Sequence, residues 1–164
     1  MNEVEAIFVT ALAATIIAIW GIVTTRVVAR RVATMDRFTR IATDKDMIAA
    51  REKFIELTEQ PGGLAAYADD NPFGRSEEIK AIRTILNDFE QLALGIQFGV
   101  LDLELIKRYH RTGIIRDWGH AAPFIYKLRA KIGSPAIYHE FEELARSLQT
   151  NRMPSRNRWT RLWF

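Results

Sequence analysis

Cysteine is absent from this 164-residue sequence. That excludes a disulfide scaffold, a thiolate zinc site, an iron–sulfur cluster and a cysteine nucleophile. It does not fix the redox compartment. Proline is sparse, at five residues, and none lies between Ile22 and Gln60. Charge is missing altogether from Ala6 to Thr25. Motif chemistry is equally thin. There is no glycine-rich phosphate loop, no serine nucleophile elbow and no dinucleotide fingerprint.

Apolar residues make up 48% of the chain, too many for a mostly disordered protein. The net charge is +3, with a pI near 9.4, which at first suggests nucleic acid. The distribution says otherwise. Residues 60–151 are almost neutral, while the excess collects at Arg26, Arg30, Arg31, Arg37 and Arg40, and again at Arg152, Arg156, Arg158 and Arg161. Basic charge in a DNA- or RNA-binding domain is expected on the folded body itself.

The uncharged stretch gives the basic excess another meaning. Twenty helical residues at 1.5 Å each span about 30 Å, the thickness of a bilayer's hydrocarbon core. Ile7, Phe8, Val9, Leu12, Ile16, Ile17, Ile19, Ile22 and Val23 favour insertion by about 3 kcal/mol on a biological scale. Thr10, Thr15, Thr24 and Thr25 are its only hydroxyl residues, so no polar stripe marks it as a soluble core helix. Glu3 and Glu5 precede it where a cleaved signal would carry basic residues. Arg26, Arg30 and Arg31 follow it. The Lys/Arg excess therefore orients the span with its N-terminus outside and the rest in the cytoplasm. Trp20 stands where an interfacial aromatic belt is expected. Small residues Thr10, Ala14, Ala18 and Gly21, continued by Thr25, form a stripe for helix self-association.

Val28, Val32, Met35, Phe38 and Ile41 recur at spacings of three and four and mark an amphipathic face of a juxtamembrane helix. Thr43 with Asp46 predicts a capping box opening a helix to about Glu59, ended by Pro61-Gly62-Gly63. A short turn over Leu64 to Ala68 precedes a loop. Ser76 caps the clearest amphipathic helix, with Ile79, Ile82, Leu86, Phe89, Ala93 and Ile96 on one face. Gly95 and Gly99 permit close packing, with Gly99 as its C-cap. Asp102 caps a short helix closed by Gly113. Pro123 kinks a helix or opens one, and Gly133 stops it. Ser134-Pro135 opens the last helix. The fold class is all-α: a single transmembrane helix, then a compact multi-helix cytoplasmic domain. The divisions are 1–25, the outward N-terminus and span; 26–43, a basic juxtamembrane helix; 44–150, the helical domain; and 151–164, a basic aromatic tail.

Glu77-Glu78-Ile79 through Leu94-Gly95-Ile96, Gly99-Val100-Leu101-Asp102, Arg116-Asp117-Trp118, Pro123-Phe124-Ile125 and Glu140-Phe141-Glu142 together resemble family 4760 of the domains of unknown function. The match covers roughly residues 44–150. The resemblance implies bacterial or phage origin, an inner-membrane location and a helical cytoplasmic domain. It carries over no catalytic residue.

Candidate chemistry is weighed against plain structure. His139 and Glu143 are four apart, but without a second histidine they make no zinc-protease motif, and no metal is expected. Asp88, Glu90, Asp102 and Glu104 sit near helix ends or on polar faces, and no catalytic pair is expected of them. Arg116, Asp117 and Trp118 form a candidate partner contact, against the competing reading that Trp118 plugs the core. In the tail, Trp159, Arg161 and Trp163 are expected at the inner leaflet. No cofactor and no enzymatic activity are expected. The partners are the lipid bilayer, a second copy and a protein partner, with nucleic acid last. The leading function is an interaction subunit or scaffold. A membrane effector or exclusion factor in phage defence and a nucleic-acid-binding module are the alternatives.

Overall fold

The computed structural model describes residues 2–68, 74 and 76–150. Helices α1 (Glu3–Thr43), α2 (Lys45–Glu59), α3 (Glu77–Gln97), α4 (Leu103–Ile132) and α5 (His139–Thr150) follow one another, with a 3₁₀ turn at Gly63–Tyr67. No strand occurs among the described residues. The fold is all-α: one long apolar helix leads into a multi-helix body.

The uncharged segment and the basic segment that follows it form one uninterrupted rod. No proline or left-handed residue interrupts the chain before Asp44, so nothing stops the helix at the basic cluster. Asp44 then does two jobs. Its N–H donates to the carbonyl of Arg40, ending α1, and its carboxylate accepts from the N–H groups of Asp46 and Met47, starting α2. This corrects the expected capping box at Thr43, whose hydroxyl instead donates back to the Thr39 carbonyl inside α1.

The body closes around Phe54, Leu57, Ile82, Leu86, Ile106, Phe124, Ile125, Phe141 and Leu144, all essentially inaccessible to water. Burying a side chain of this size stabilises by about 1.5–3 kcal/mol. Helix α3 starts where expected, with Ser76 accepting from the Ile79 N–H. At its other end Gly99 adopts a left-handed conformation one residue past the cap, Phe98. Gly95 is small for a different reason. The carbonyl of Gly95 accepts from Val100 and Leu101, and this tight turn lays Leu101 where a Gly95 side chain would sit.

Two expected boundaries are corrected. Gly113 does not close a helix, because α4 runs unbroken from Asp102's cap to Gly133. Pro123 lies inside α4 and removes one intrahelical donor. Its ring faces the carbonyl side of Gly119, and both residues are exposed, so solvent can satisfy that carbonyl. The last helix begins at His139, not Ser134. Tyr138 adopts φ +54°, a conformation that cannot continue a helix, and Arg129 pins the intervening turn through the Ile137 carbonyl at 2.8 Å.

Candidate functional site

Two features stand out, and both belong to α1. The first is its apolar sleeve. This is one helix long and apolar enough to cross a membrane, and none of its apolar window is buried against the body. Ile7, Phe8, Leu12, Ile16, Ile17, Ile19 and Trp20 all project from the molecule. Three of its four threonine hydroxyls are satisfied within the helix: Thr10 donates to Ala6, Thr15 to Ala11 and Thr25 to Gly21, each on the carbonyl. Such internal pairing is what a polar side chain needs where water is absent. Thr10, Ala14, Ala18 and Gly21 are exposed, and the space where a Gly21 side chain would stand is open.

The second feature is the seam between the lower half of α1 and the body. The buried residues of α1 are Thr34 and Arg37, polar ones. Thr34 accepts the N–H of Asp102 at 2.8 Å, while its own hydroxyl donates to the Arg30 carbonyl. Arg37 donates to both the carboxylate and the backbone carbonyl of Asp88 on α3. Arg31 reaches Asp102 at 3.4 Å with its guanidinium largely exposed. The face that α1 turns to the body therefore runs through Arg30, Thr34, Arg37 and Ile41. The expected apolar stripe is corrected in part: Phe38 and Ile41 turn to the body, but Val28, Val32 and Met35 are each 52% exposed and point elsewhere. The apolar stripe was the stronger sequence signal. Arg37 was legible only as one more basic residue.

Below the seam a cavity of about 500 Å³ opens between α1, α2, α3 and α4. Its wall carries an aromatic cluster. Phe38 stacks on Tyr109 at 5.3 Å and meets His110 edge-on at 4.6 Å. Burial pushes the His110 imidazole below its ordinary value, and the charges of Arg37 and Arg51 push it the same way. Arg51 contacts the Asp117 carboxylate at 2.5 Å and lies over the Phe54 and Phe89 rings at 5.6 and 6.0 Å. Arg116 reaches the other Asp117 oxygen at 3.2 Å. With Arg37 and Arg51 each held by a carboxylate, the cavity suits an apolar or aromatic group rather than an anion.

The remaining candidates fall as follows. Trp118 is buried, edge-on to Phe141 at 5.2 Å, and Asp117 is buried beside it. Only Arg116 of that trio is exposed. The plug reading is therefore the one the geometry favours. Trp20, Arg26 and Arg31 are exposed, while Arg30 is partly covered. Trp159, Arg161 and Trp163 lie outside the described residues. His139 is exposed and four residues from a partly buried Glu143. No group of three or more His, Asp and Glu side chains that could hold a metal occurs among the described residues.

Sequence reasoning also missed Glu90. Its carboxylate, on α3, accepts the N–H groups of Glu140 and Phe141 at 3.3 and 2.8 Å and so caps α5 from another helix. Fifty residues separate the partners, and no local pattern links them. Glu142, on the same helix, is buried against Arg129 at 2.6 Å and receives Arg146 at 2.6 Å and the Tyr126 hydroxyl at 3.2 Å. Burial alone would raise its carboxyl, but Arg129, Tyr126 and Arg146 together hold it below the ordinary carboxylate range.

Comparison with curated proteins gives no match, and comparison with solved structures gives none. A family profile described as a domain of unknown function, DUF4760, matches residues 8–148, so it extends beyond the expected 44–150 to take in most of α1 and ends two residues before the end of α5. The chain belongs to that family.

Proposed function

We propose that this is a single-pass inner-membrane protein, N-terminus outside, whose helical body lies in the cytoplasm as a non-enzymatic interaction subunit or scaffold. One observation carries the reading. An uncharged helix projects wholly exposed from a body that has its own core, and the same helix continues without a break into a buried polar seam. In water such a sleeve would be a large aggregation surface. In a bilayer it is at its lowest free energy. Arg26, Arg30 and Arg31 favour the cytoplasmic side for the body, and Trp20 suits the headgroup level. Thr10, Ala14, Ala18 and Gly21 offer a close-packing stripe for a second copy. Bacterial or phage origin, suggested by the family resemblance, fits that setting.

Because α1 is one rod, the body is rigidly coupled to the membrane helix, which suits a subunit that presents a surface at a fixed height. The test is a full-length fusion with a periplasm-dependent reporter after Phe164, expressed in bacteria. The expected result is a membrane-pelleted protein with a silent reporter. An active reporter would overturn the topology, and a chain left in the supernatant would overturn the membrane reading. Detergent purification with mass spectrometry should then return a defined protein partner. Depolarised cells on expression would favour the effector reading instead.

A further inference from the structure

Val28, Val32 and Met35 lie beyond the charge-free span, and Met35 stands ten residues past Thr25, about 15 Å along the helix. Lipid tails do not reach that far, and the body does not cover these residues, since each is 52% exposed. With 100° per residue, Val28, Val32, Met35 and Thr39 fall within about 60° of one another, roughly 160° round the helix from the Arg30, Thr34, Arg37 and Ile41 face. The body therefore occupies one side of α1 and leaves the opposite side clear.

That clear side has a register. Ala11, Ala14, Ala18, Gly21, Thr25, Val28, Val32, Met35 and Thr39 alternate at spacings of three and four, and all are exposed and uncharged. A seven-residue repeat of this kind is the seam of a left-handed two-helix pairing. Arg31 immediately precedes Val32, and Asp36 immediately follows Met35. In a parallel pair these flanking positions, five residues apart, face each other across the seam, and here they carry opposite charges. Arg31's contact with Asp102 is long and its side chain is 63% exposed, which leaves the guanidinium accessible to a further partner.

We propose that the outer face of α1 from Val28 to Thr39 docks in parallel on the same face of a second copy, with Arg31 of each chain facing Asp36 of the other. This deepens the self-association reading above and rests on it for the membrane half. The occupant is another copy of this chain for three reasons: the face is self-complementary in charge, it continues in register from the small-residue stripe, and the bodies point away from each other. A two-fold pairing is closed, so it stops at a dimer.

The absence of cysteine makes the test clean. Single cysteines are placed through residues 28–39 of the full-length protein, and native membranes are oxidised. Disulfide-linked dimer should peak at Val28→Cys, Val32→Cys, Met35→Cys and Thr39→Cys, and fall at least five-fold at Ala29→Cys and Ala33→Cys. A flat profile, a peak on another face, or no dimer at any position would overturn the proposal. Charge provides a second arm. Arg31→Asp and Asp36→Arg should each lower the Val32→Cys cross-link several-fold, and co-expression of the two single variants should restore it in the mixed dimer. Failure to restore would overturn the parallel register. The cross-link pattern decides the pairing wherever the chain fractionates, so this inference and the membrane reading fail separately.

Discussion

Helices α1 and α3 are both rich in large aliphatic residues, yet they spend those residues in opposite ways. Helix α3 buries Ile79, Ile82, Ile85, Leu86, Leu92, Ala93 and Ile96 against its neighbours and shows water its polar side. Helix α1 buries only Thr34 and Arg37 and leaves every large apolar residue of its first half outside. The difference shows what holds each in place. Helix α3 is held by non-directional burial, which tolerates rearrangement as long as volume is kept. Helix α1 packs Ala33 and Phe38 on the body, but its buried contacts are an ion pair and a hydroxyl–amide contact, which are directional and fix its rotation. Such a joint suits a rod whose two faces have separate work: one for the body, the other for the second copy proposed above.

The sharpest way to break the comparison is to remove the body's core and ask whether α1 notices. Phe124 is almost inaccessible, and Phe124→Ala removes its ring. A loss of about 3–5 kcal/mol is expected, enough to abolish the cooperative thermal transition of the body in detergent. Membrane sedimentation should be unchanged, because the sleeve does not draw on that core. If sedimentation falls together with the transition, the two regions are not independent.

A smaller effect is expected at the joint. Arg37→Met keeps the apolar stem and removes the charge, leaving Asp88 without its strongest partner. Asp88 retains some solvent access, so a cost of about 2 kcal/mol is expected, below that of a fully buried pair. Hydrogen exchange should accelerate over residues 30–43 and stay unchanged in α3 and α4. Uniform acceleration throughout the body would mean that Arg37 supports the core and is not a joint.

Legibility followed distance along the chain. The caps at Ser76 and Asp102 were readable because each bonds its own third residue onward, a geometry that sequence spacing encodes directly. The membrane-length helix was readable from the run of uncharged residues. The long α4 was not, because Gly113 and Pro123 are breakers only by local propensity, and packing of Ile114, Trp118, Ala121 and Phe124 on one side carries the helix past both. The rotation of α1 was not readable either. Val28, Val32 and Met35 had the correct period, but periodicity identifies a face without saying what covers it. Arg37 finds Asp88 fifty-one residues away, and no spacing rule reaches that far.

Glu90 offers the finest measure of the same contrast, since it caps α5 through hydrogen bonds to two backbone amides while sitting on the helix that otherwise works by burial. Glu90→Ala removes both acceptors from the Glu140 and Phe141 amides, and a cost of about 1–2 kcal/mol is expected, with faster exchange confined to the first turn of α5. Its titration separates the two contributions. Burial raises the Glu90 carboxyl above its ordinary 4.5, opposed by the two amide hydrogen bonds. The folded state therefore holds the proton longer than the unfolded chain does. Its titration-linked stabilisation is complete below 4.5 and is lost as pH rises through the raised value. Glu90→Gln keeps a carbonyl acceptor and cannot ionise. Urea melts at acidic and neutral pH should show the wild type losing stability relative to Glu90→Gln as pH rises. The opposite slope would mean that the amide dipoles at the start of α5 outweigh desolvation, and that Glu90 works mainly as an anionic cap.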